Sequence, residues 1–384
     1  MWRSLASNML TFLIVGLFLL VGVILWGQSQ YSAQGPLEQA ICLRVERGSN
    51  MGAVSRDLEK QGAVSSGTIF RLGADYSKKS DQLKAGSYLV QPGVTMEQIV
   101  DQVTRGGAST CGTEIVYRVG VTRTEALVRE LDPASSELVK IAAFDPTSED
   151  APAVYKEKRA EIDTRYRIAL AEGVTSWQVV QALKAADVLS GDITEVPPEG
   201  MLAPDSYEVV DGADRAALLA RMQEVQSLRI AAAWESRQEG LPLNSPEEML
   251  ILASIIEKET GVPEERGQVA SVFVNRLTQG MKLQTDPTVI YGITQGQGVL
   301  GRGLRQSELR RQTPWNTYVI NGLPPTPIAN PGMASLEAAV SPEDTDYVFF
   351  VADGSGGHAF ASTLDEHNRN VAKWRKIEAE RANN

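Results

Sequence analysis

One acidic residue in this sequence stands where a carboxylic acid could take part in catalysis. Glu257 follows the apolar run 250–256, which is interrupted only by Ser254, and it shares a helical stripe with Leu250, Ala253 and Ser254. A helix that is apolar on nearly every side is buried, and burial favours the neutral form of a carboxyl group. The negative end of the helix dipole acts in the same direction. Both effects favour a carboxyl that keeps its proton, as a general acid must.

A simpler interpretation of Glu257 stays open. The residue could mark the point where the helix leaves the core, and it would then pair with a Lys or Arg side chain. Glu259 projects to a different face of the same helix, and we predict that it faces solvent or supports the site.

The segment MKLQTDPTVIYG, residues 281–292, carries a second group of polar and aromatic side chains. Gln284 and Tyr291 are an amide and an aromatic residue of the kind that line sugar sites. Thr285 and Asp286 lead into a short helix. Asp286 could bind ligand, but the simpler interpretation is that it caps this helix.

The loop TPWNTYVINGLPPTPIANPG, residues 313–332, is rich in proline, asparagine and aromatic residues. Such a rigid loop suits a long polar ligand, which makes Asn316, Tyr318 and Asn330 candidate binding residues. The alternative is a well-ordered structural loop. His358, in GGHAF, either contacts the ligand or holds a hairpin.

Several function classes find no support in the sequence. It contains no G-x-S-x-G motif, phosphate loop or dinucleotide fingerprint. Its only histidines, His358 and His367, have no third ligand pattern, so we predict no metal and no cofactor. A net charge of −11 over 384 residues, with no basic stripe, argues against nucleic-acid binding.

The elements that position Glu257 are predicted to be helical. Ser245, Pro246 and Glu248 have the types expected at a helix start, and Gly261 marks its end. A long amphipathic helix at 214–240 precedes this element, and another at about 263–279 follows. DYVFFVADG and GHAFAS predict a hairpin, which is followed by a charged helix at 363–381.

The N-terminal part predicts a membrane anchor. Residues 9–27 are apolar and uncharged, long enough to span a bilayer. Arg3 precedes them and few basic residues follow, which places residues 1–8 in the cytoplasm. The alternative is a cleaved signal peptide. Residues 28–40 are polar, contain Gly and Pro, and predict a linker.

Residues 41–108 predict a small α/β module. It has a strand near its start, a helix near 51–61, a strand at 86–90 and a helix capped by Thr95 and Gln98. Cys42 and Cys111 flank the module, and in an exported chain they could form a disulfide; two buried thiols are the alternative.

Residues 109–165 are harder to interpret. They begin with a strand, and we predict a helix at 122–131, within an insertion or linker of unknown role. From residue 166 the sequence again predicts regular elements: a strand, a turn at Gly173 and a helix capped by Thr175 and Gln178. This order weakly resembles that of the first module and hints at a repeated unit.

Several long motifs, in order, resemble the endolytic murein transglycosylase (YceG-like) family. They are ASIIEKET, VASVFVNRL, LQTDPTVIYG, NTYVINGLPPTPIANPG and YVFFVADGSGGHAF. The resemblance is close over about 166–376 and looser over 41–108, which resembles a LysM-like module. It implies an α+β protein with a transmembrane helix, this module, a larger mixed helical/β catalytic domain at 166–378 and a tail at 379–384.

The resemblance implies that Glu257 is the catalytic acid. The implied reaction cleaves the MurNAc–GlcNAc β-1,4 bond of peptidoglycan without metal or cofactor and leaves a 1,6-anhydro end. The enzyme would sit in the bacterial inner membrane with its catalytic domain in the periplasm, beside peptidoglycan synthases, and would set strand length. Two alternatives stay open: a hydrolase with Asp286 as second carboxylate, and a non-catalytic glycan-binding scaffold.

Overall fold

The chain combines helices and strands, which confirms the predicted mixed α+β class. The computed structural model describes residues 2–106, 110–161 and 163–382, the side chains of residues 2–8 and 382 excepted. Met1 and residues 383–384, at the ends of the predicted cytoplasmic segment and tail, lie outside the described residues, as do residues 107–109 at the predicted module boundary.

The helices and strands are numbered in chain order. Helices α1 to α13 span Trp2–Ser32, Met51–Lys60, Gly67–Tyr76, Met96–Arg105, Ala153–Arg159, Ser176–Ala185, Arg215–Glu235, Pro246–Glu259, Arg266–Thr278, Asp286–Thr294, Gln306–Leu309, Met333–Val340 and Leu364–Ala382. Strands β1 to β11 span Ile41–Val45, Gly86–Val90, Thr113–Val119, Thr124–Asp132, Glu137–Phe144, Arg165–Leu170, Leu189–Ser190, Ser206–Val209, Ala213–Asp214, Phe349–Ala352 and His358–Ala361.

The chain divides into two compact units. The N-terminal unit comprises Met1–Ile115, Leu127–Ala143 and Ala151–Arg165, and the C-terminal unit comprises Val116–Ala126, Phe144–Asp150 and Tyr166–Asn384. The stretch 109–165, predicted to be an insertion, therefore contributes residues to both units.

Helix α1 contains the apolar segment. Met9–Ser32 has a mean hydropathy of 2.8 and is long and apolar enough to cross a membrane. The helix continues to Ser32, so the first residues of the predicted linker at 28–40 are helical. The polar residues after Gly27 are compatible with a helix, and the first strong breaker is Gly35-Pro36.

In the N-terminal unit, β1 and β2 form an antiparallel pair in which Leu43 lies opposite Tyr88. Thr95 and Gln98 form the predicted capping box of α4. Helix α3 was not predicted, because its sequence contains two glycines and a Thr-Ile pair of low helix propensity. Its Phe70 is fully buried in the core of the unit, so tertiary packing stabilises the helix.

The structure joins Cys42 and Cys111 in a disulfide, with their Cα atoms 5.8 Å apart. Both residues belong to the N-terminal unit. The bond ties β1 to the chain just before β3, so it closes a loop that contains the whole first module.

The helix predicted at 122–131 is wrong, because these residues form β4. Strands β5, β4 and β3 are neighbours in a five-stranded sheet that continues through β6 to β8. The apolar run 126–128 is compatible with either a helix or a strand. The turns decide between them: the Gly120 amide bonds to the Arg123 carbonyl, and the Ala134 amide bonds to the Asp132 carboxylate.

In the C-terminal unit, helices α7, α8, α9 and α12 share one hydrophobic core. The core is built from fully buried side chains of α8 together with residues of its neighbours, among them Phe273 and Leu336. Strands β10 and β11 form the predicted hairpin, in which Phe350 lies opposite Phe360. Helix α13 follows this hairpin, close to its predicted bounds.

Candidate active site

Helix α8 brings Glu257 to the edge of this core. The helix begins at Pro246, and the side chain of Ser245 accepts a hydrogen bond from the amide of Glu248, as predicted. Every residue from Met249 to Ile256 is buried. Ser254, the polar residue in this run, donates to the Ile251 carbonyl at 2.7 Å and accepts from the Ile328 amide at 3.0 Å.

The Glu257 side chain leaves the last turn of α8 and reaches the start of α12. Its Oε2 accepts hydrogen bonds from the amide of Gly332 at 3.0 Å and from the hydroxyl of Ser335 at 2.7 Å. Gly332 is the N-cap of α12. The positive end of the α12 dipole and two hydrogen-bond donors thus lie at this carboxyl group. This environment opposes the two effects predicted from α8 alone.

A second carboxyl group lies beside Glu257. A Cβ atom built on Gly332 would come within 1.7 Å of the Glu172 Oε1 atom, so the Glu172 carboxyl occupies the space next to that glycine. Burial, and then the charge of Glu257, raise the pKa of Glu172. Residue 172 must therefore be counted with the candidate site.

The turn that carries Glu172 is held in place by several hydrogen bonds. Gly173 has a φ of +77°, a conformation that favours glycine, and its amide donates to the Asn330 carbonyl at 2.9 Å. The Asn330 amide donates to the Val174 carbonyl at 2.8 Å. Lys258 Nζ donates to the Gly173 carbonyl at 3.2 Å. The capping box of Thr175, correctly predicted, then begins α6.

The region also contains a partly buried acid that was not predicted. Glu199 accepts hydrogen bonds from the amide of Ser176 at 2.7 Å and from the hydroxyl of Tyr291 at 3.2 Å. Burial raises the pKa of Glu199 and lowers the pKa of Lys258, while the carboxylates of Glu257 and Glu199 act in the opposite direction on Lys258. Tyr291 is thus bonded to an acid whose charge acts on Lys258, the residue after Glu257.

The predicted residues Gln284, Thr285 and Asp286 lie together at the start of α10. Gln284 is exposed, with a φ of +49°, unusual for a residue with a side chain. Thr285 is buried and donates its hydroxyl to Glu259, whose pKa is raised by burial. Glu259 therefore does not face solvent, and its support role stays a prediction.

Asp286 is not the cap of α10. Thr285 occupies the N-cap position, and Asp286 is the first helical residue. Its carboxylate accepts a hydrogen bond from the Tyr318 hydroxyl at 2.7 Å. The capping interpretation is wrong. A cap would accept a hydrogen bond from a backbone amide of α10, but the Asp286 carboxylate accepts one from Tyr318, which is distant in sequence.

The three remaining predicted side chains from 313–358 differ in placement. Asn316 is fully buried and donates to backbone carbonyls, the shortest bond being 2.7 Å to Arg311. Asn330 is also fully buried, and its amide bonds to Val174 and Leu202. His358, on β11, bonds through Nδ1 to Glu265 at 2.7 Å.

The residues that sequence reasoning missed share one property. They lie far from Glu257 in sequence. Tertiary packing brings Glu172, Gly332 and Ser335 to Glu257, and brings Glu199 within electrostatic range of Lys258. The sequence could have indicated Glu172, because this acid directly precedes the turn glycine, Gly173, and the capping box of α6 follows. Within the part of the chain that the structure describes, no group of three or more His, Cys, Asp or Glu residues could hold a metal ion.

Chemically, the arrangement offers one carboxyl group on a rigid helix with a second carboxyl beside it. Glu257 is partly buried and is held at one oxygen by two donors. Such a group can give and take a proton at a fixed position.

Comparison with known proteins places the chain in a family. The model of the YceG-like family matches residues 43–373. The chain therefore belongs to the YceG-like family, and the resemblance found in the motifs is confirmed.

Two relatives and one solved structure extend the comparison. The endolytic murein transglycosylase of Bacillus subtilis (strain 168) is 29% identical over 357 residues, which cover 92% of this chain and 90% of that protein. The endolytic murein transglycosylase of Streptococcus pneumoniae serotype 2 is 28% identical over 340 residues, 87% of this chain and 58% of that protein. A YceG-like protein of Listeria monocytogenes is 25% identical and covers 87% of this chain and 99% of its own, with a TM-score of 0.46.

Proposed function

We propose that this protein is a lytic murein transglycosylase that cuts within peptidoglycan strands, with Glu257 as its catalytic acid and base. The observation that carries the proposal is the position of Glu257, which projects from a buried helix and is fixed by Gly332 and Ser335. The family membership and the names of both relatives support the substrate class.

The geometry suits a group that must both donate and recover a proton. Both hydrogen bonds of Glu257 end on Oε2, so we assign proton transfer to Oε1. When Oε1 protonates the glycosidic oxygen of the MurNAc–GlcNAc β-1,4 bond, the two donors and the α12 N-terminus stabilise the resulting carboxylate. The carboxylate then takes the proton of the muramyl C6 hydroxyl as that oxygen bonds to C1. The product is a 1,6-anhydro end, and no water is consumed.

The other candidate residues divide into two roles. Gln284 and Asp286 are exposed, and Tyr291, Tyr318 and His358 are partly exposed, so these five are proposed to line the glycan path. Thr285, Asn316 and Asn330 are buried and fully engaged with neighbouring groups, so we propose that they hold the loops that form this path.

We further propose that α1 anchors the enzyme in the inner membrane, with the N-terminus in the cytoplasm and both units in the periplasm. The length and hydropathy of Met9–Ser32 support the anchor. The disulfide supports export, because such bonds persist outside the cytoplasm. The first module is proposed to be LysM-like, and the enzyme to work beside synthases and end strand elongation.

The product decides between this reaction and its alternatives. Full-length protein in detergent is incubated with purified murein, and the ends are identified by mass spectrometry. We expect anhydromuramyl ends, and a Glu257→Gln variant should lose about 10²- to 10⁴-fold in rate, the contribution usual for a general acid. Gln retains an oxygen for the donors at Gly332 and Ser335, so circular dichroism should show an unchanged fold.

The matched control is Glu378→Gln, which removes the same charge from an exposed position on α13. It should cut at the wild-type rate. Reducing ends would identify a hydrolase instead. Murein binding that does not depend on Glu257, without soluble products, would identify a non-catalytic scaffold.

A further inference from the structure

Glu172 has no part in the reaction as described, although its carboxyl lies against the residue that holds Glu257. The amide of Gly332 donates to Glu257 Oε2 at 3.0 Å, and the Glu172 Oε1 atom occupies the space that a Cβ of Gly332 would fill. The two carboxyl groups thus flank one glycine, Glu257 at its nitrogen and Glu172 at its α-carbon. Any side chain at position 332 would displace Glu172.

The backbone of Glu172 is fixed independently of its side chain. The next residue, Gly173, is bonded through its amide to the Asn330 carbonyl and through its carbonyl to Lys258. A Cβ on Gly173 would lie 3.7 Å from the Glu257 Cγ atom, so the turn packs directly on the last turn of α8. The fold therefore holds the backbone that carries Glu172 close to Glu257.

Two carboxylates at such close range repel each other, and a single proton held between them removes the repulsion. Burial and the charge of Glu257 raise the pKa of Glu172. Gly332 and Ser335 both donate to Oε2 of Glu257, which leaves Oε1 for the proton. The other charged groups that face the pair from the elements packed around it are Lys258 of α8, Arg229 of α7, Arg266 of α9 and, next to Lys258, Glu199.

We propose that Glu172 and Glu257 form a carboxyl pair that keeps one proton between them until the glycan is cut, and that Glu172 is thereby a positioning residue for the transferred proton. The inference rests on the proposed function. Glu257 gives the proton to the glycosidic oxygen as the C1–O bond breaks. The C6 oxygen bonds to C1, and the C6 hydroxyl proton returns to the pair, so the pair is restored without water or any other reactant.

The pair predicts the pH dependence of cutting. With Glu172→Gln the side chain at position 172 can neither carry a charge nor hold a proton, and we expect the alkaline limb of the rate profile to move to lower pH. For two partly exposed charges we expect a shift of about 0.5 to 1 pH unit, or about 3- to 10-fold in rate on that limb. Glu172→Asp keeps the charge and should keep the limb within about 0.3 unit of wild type.

The experiment measures anhydromuramyl ends between pH 5 and pH 9 with full-length protein in detergent. Wild type, both Glu172 variants, Glu257→Gln and the charge control Glu378→Gln are compared. A Glu172→Gln profile that superimposes on wild type overturns the pair. So does complete inactivity of both Glu172 variants with an unchanged circular dichroism spectrum, because a positioning role leaves residual cutting by Glu257.

The controls separate this inference from the proposed function. Absence of anhydro ends with wild type at every pH overturns the proposed function itself. Anhydro ends from wild type, an inactive Glu257→Gln and an unshifted Glu172→Gln overturn only the pair. Reducing ends that disappear with Glu172→Gln would instead make residue 172 the second carboxylate of a hydrolase.

Discussion

Asn330→Ala tests whether this asparagine binds glycan or holds the active-site turn. Its side chain donates to the Val174 carbonyl at 3.0 Å and accepts from the Leu202 amide at 2.9 Å, and the residue is fully buried. The Ala variant leaves the buried Leu202 amide without this acceptor, which costs about 1–3 kcal/mol, and loses a second bond worth about 1 kcal/mol. We therefore expect the free energy of unfolding to fall by about 2–4 kcal/mol.

Urea unfolding followed by tryptophan fluorescence measures this change, because Trp177, Trp234, Trp315 and Trp374 all belong to the C-terminal unit. Asn321→Ala is the matched control, since Asn321 is exposed on the same loop. It should change stability by less than about 0.5 kcal/mol.

Asn330→Ala should also cut murein more slowly than wild type. The variant loses the side-chain hydrogen bond to Val174, which helps to hold the turn that carries Glu172. The reasoning is refuted if Asn330→Ala unfolds at the wild-type urea concentration and only the amount of murein needed for half-maximal rate increases. That result would assign Asn330 to the glycan, as the sequence suggested.

Two further perturbations test other parts of the structure. Gly332→Ala places a methyl carbon 1.7 Å from the Glu172 Oε1 atom, so it should displace Glu172 and lower the cutting rate at least about 10-fold. The control is Gly303→Ala, whose methyl group would have no atom within 4 Å and should leave the cutting rate unchanged. Replacing both cysteines of the disulfide by serine removes a cross-link between residues 69 positions apart. The loss of this constraint on the unfolded chain should lower the free energy of unfolding of the N-terminal unit by about 4 kcal/mol. Urea unfolding followed by far-ultraviolet circular dichroism measures this change. An unchanged rate for Gly332→Ala, or an unchanged transition for the serine variant, would contradict these expectations.

Local sequence signals predicted the elements that depend on neighbouring residues. The capping boxes at Thr95 and Thr175 were correct, because each bond joins residues three positions apart. The β10–β11 hairpin was also correct, since its turn is rich in glycine. In such cases the physical cause of the structure lies within the segment itself.

The errors arose where distant residues decide the structure. Strand β4 resembles a helix in sequence, but its neighbours β3 and β5 supply its hydrogen-bond partners. Asp286 has the residue type of a helix cap, but Tyr318 binds its carboxylate. The sequence around Glu172 shows only an acid before a turn glycine. Its place in the site depends on contact with Gly332, which lies 160 positions later in the chain.

The setting of Glu257 shows why its chemistry could not be derived from α8 alone. The side chain of Glu257 leaves the C-terminal end of α8 and meets the N-terminal end of α12, so the two helix dipoles act on it in opposite directions. Gly332 and Ser335 donate to Glu257, and burial together with the charge of Glu257 raises the pKa of the neighbouring Glu172. The groups around Glu257 thus come from α12 and from the turn at Gly173, and the sequence of α8 reveals neither of them. This is why the charge at position 172, rather than the apolar length of α8, should control the alkaline limb.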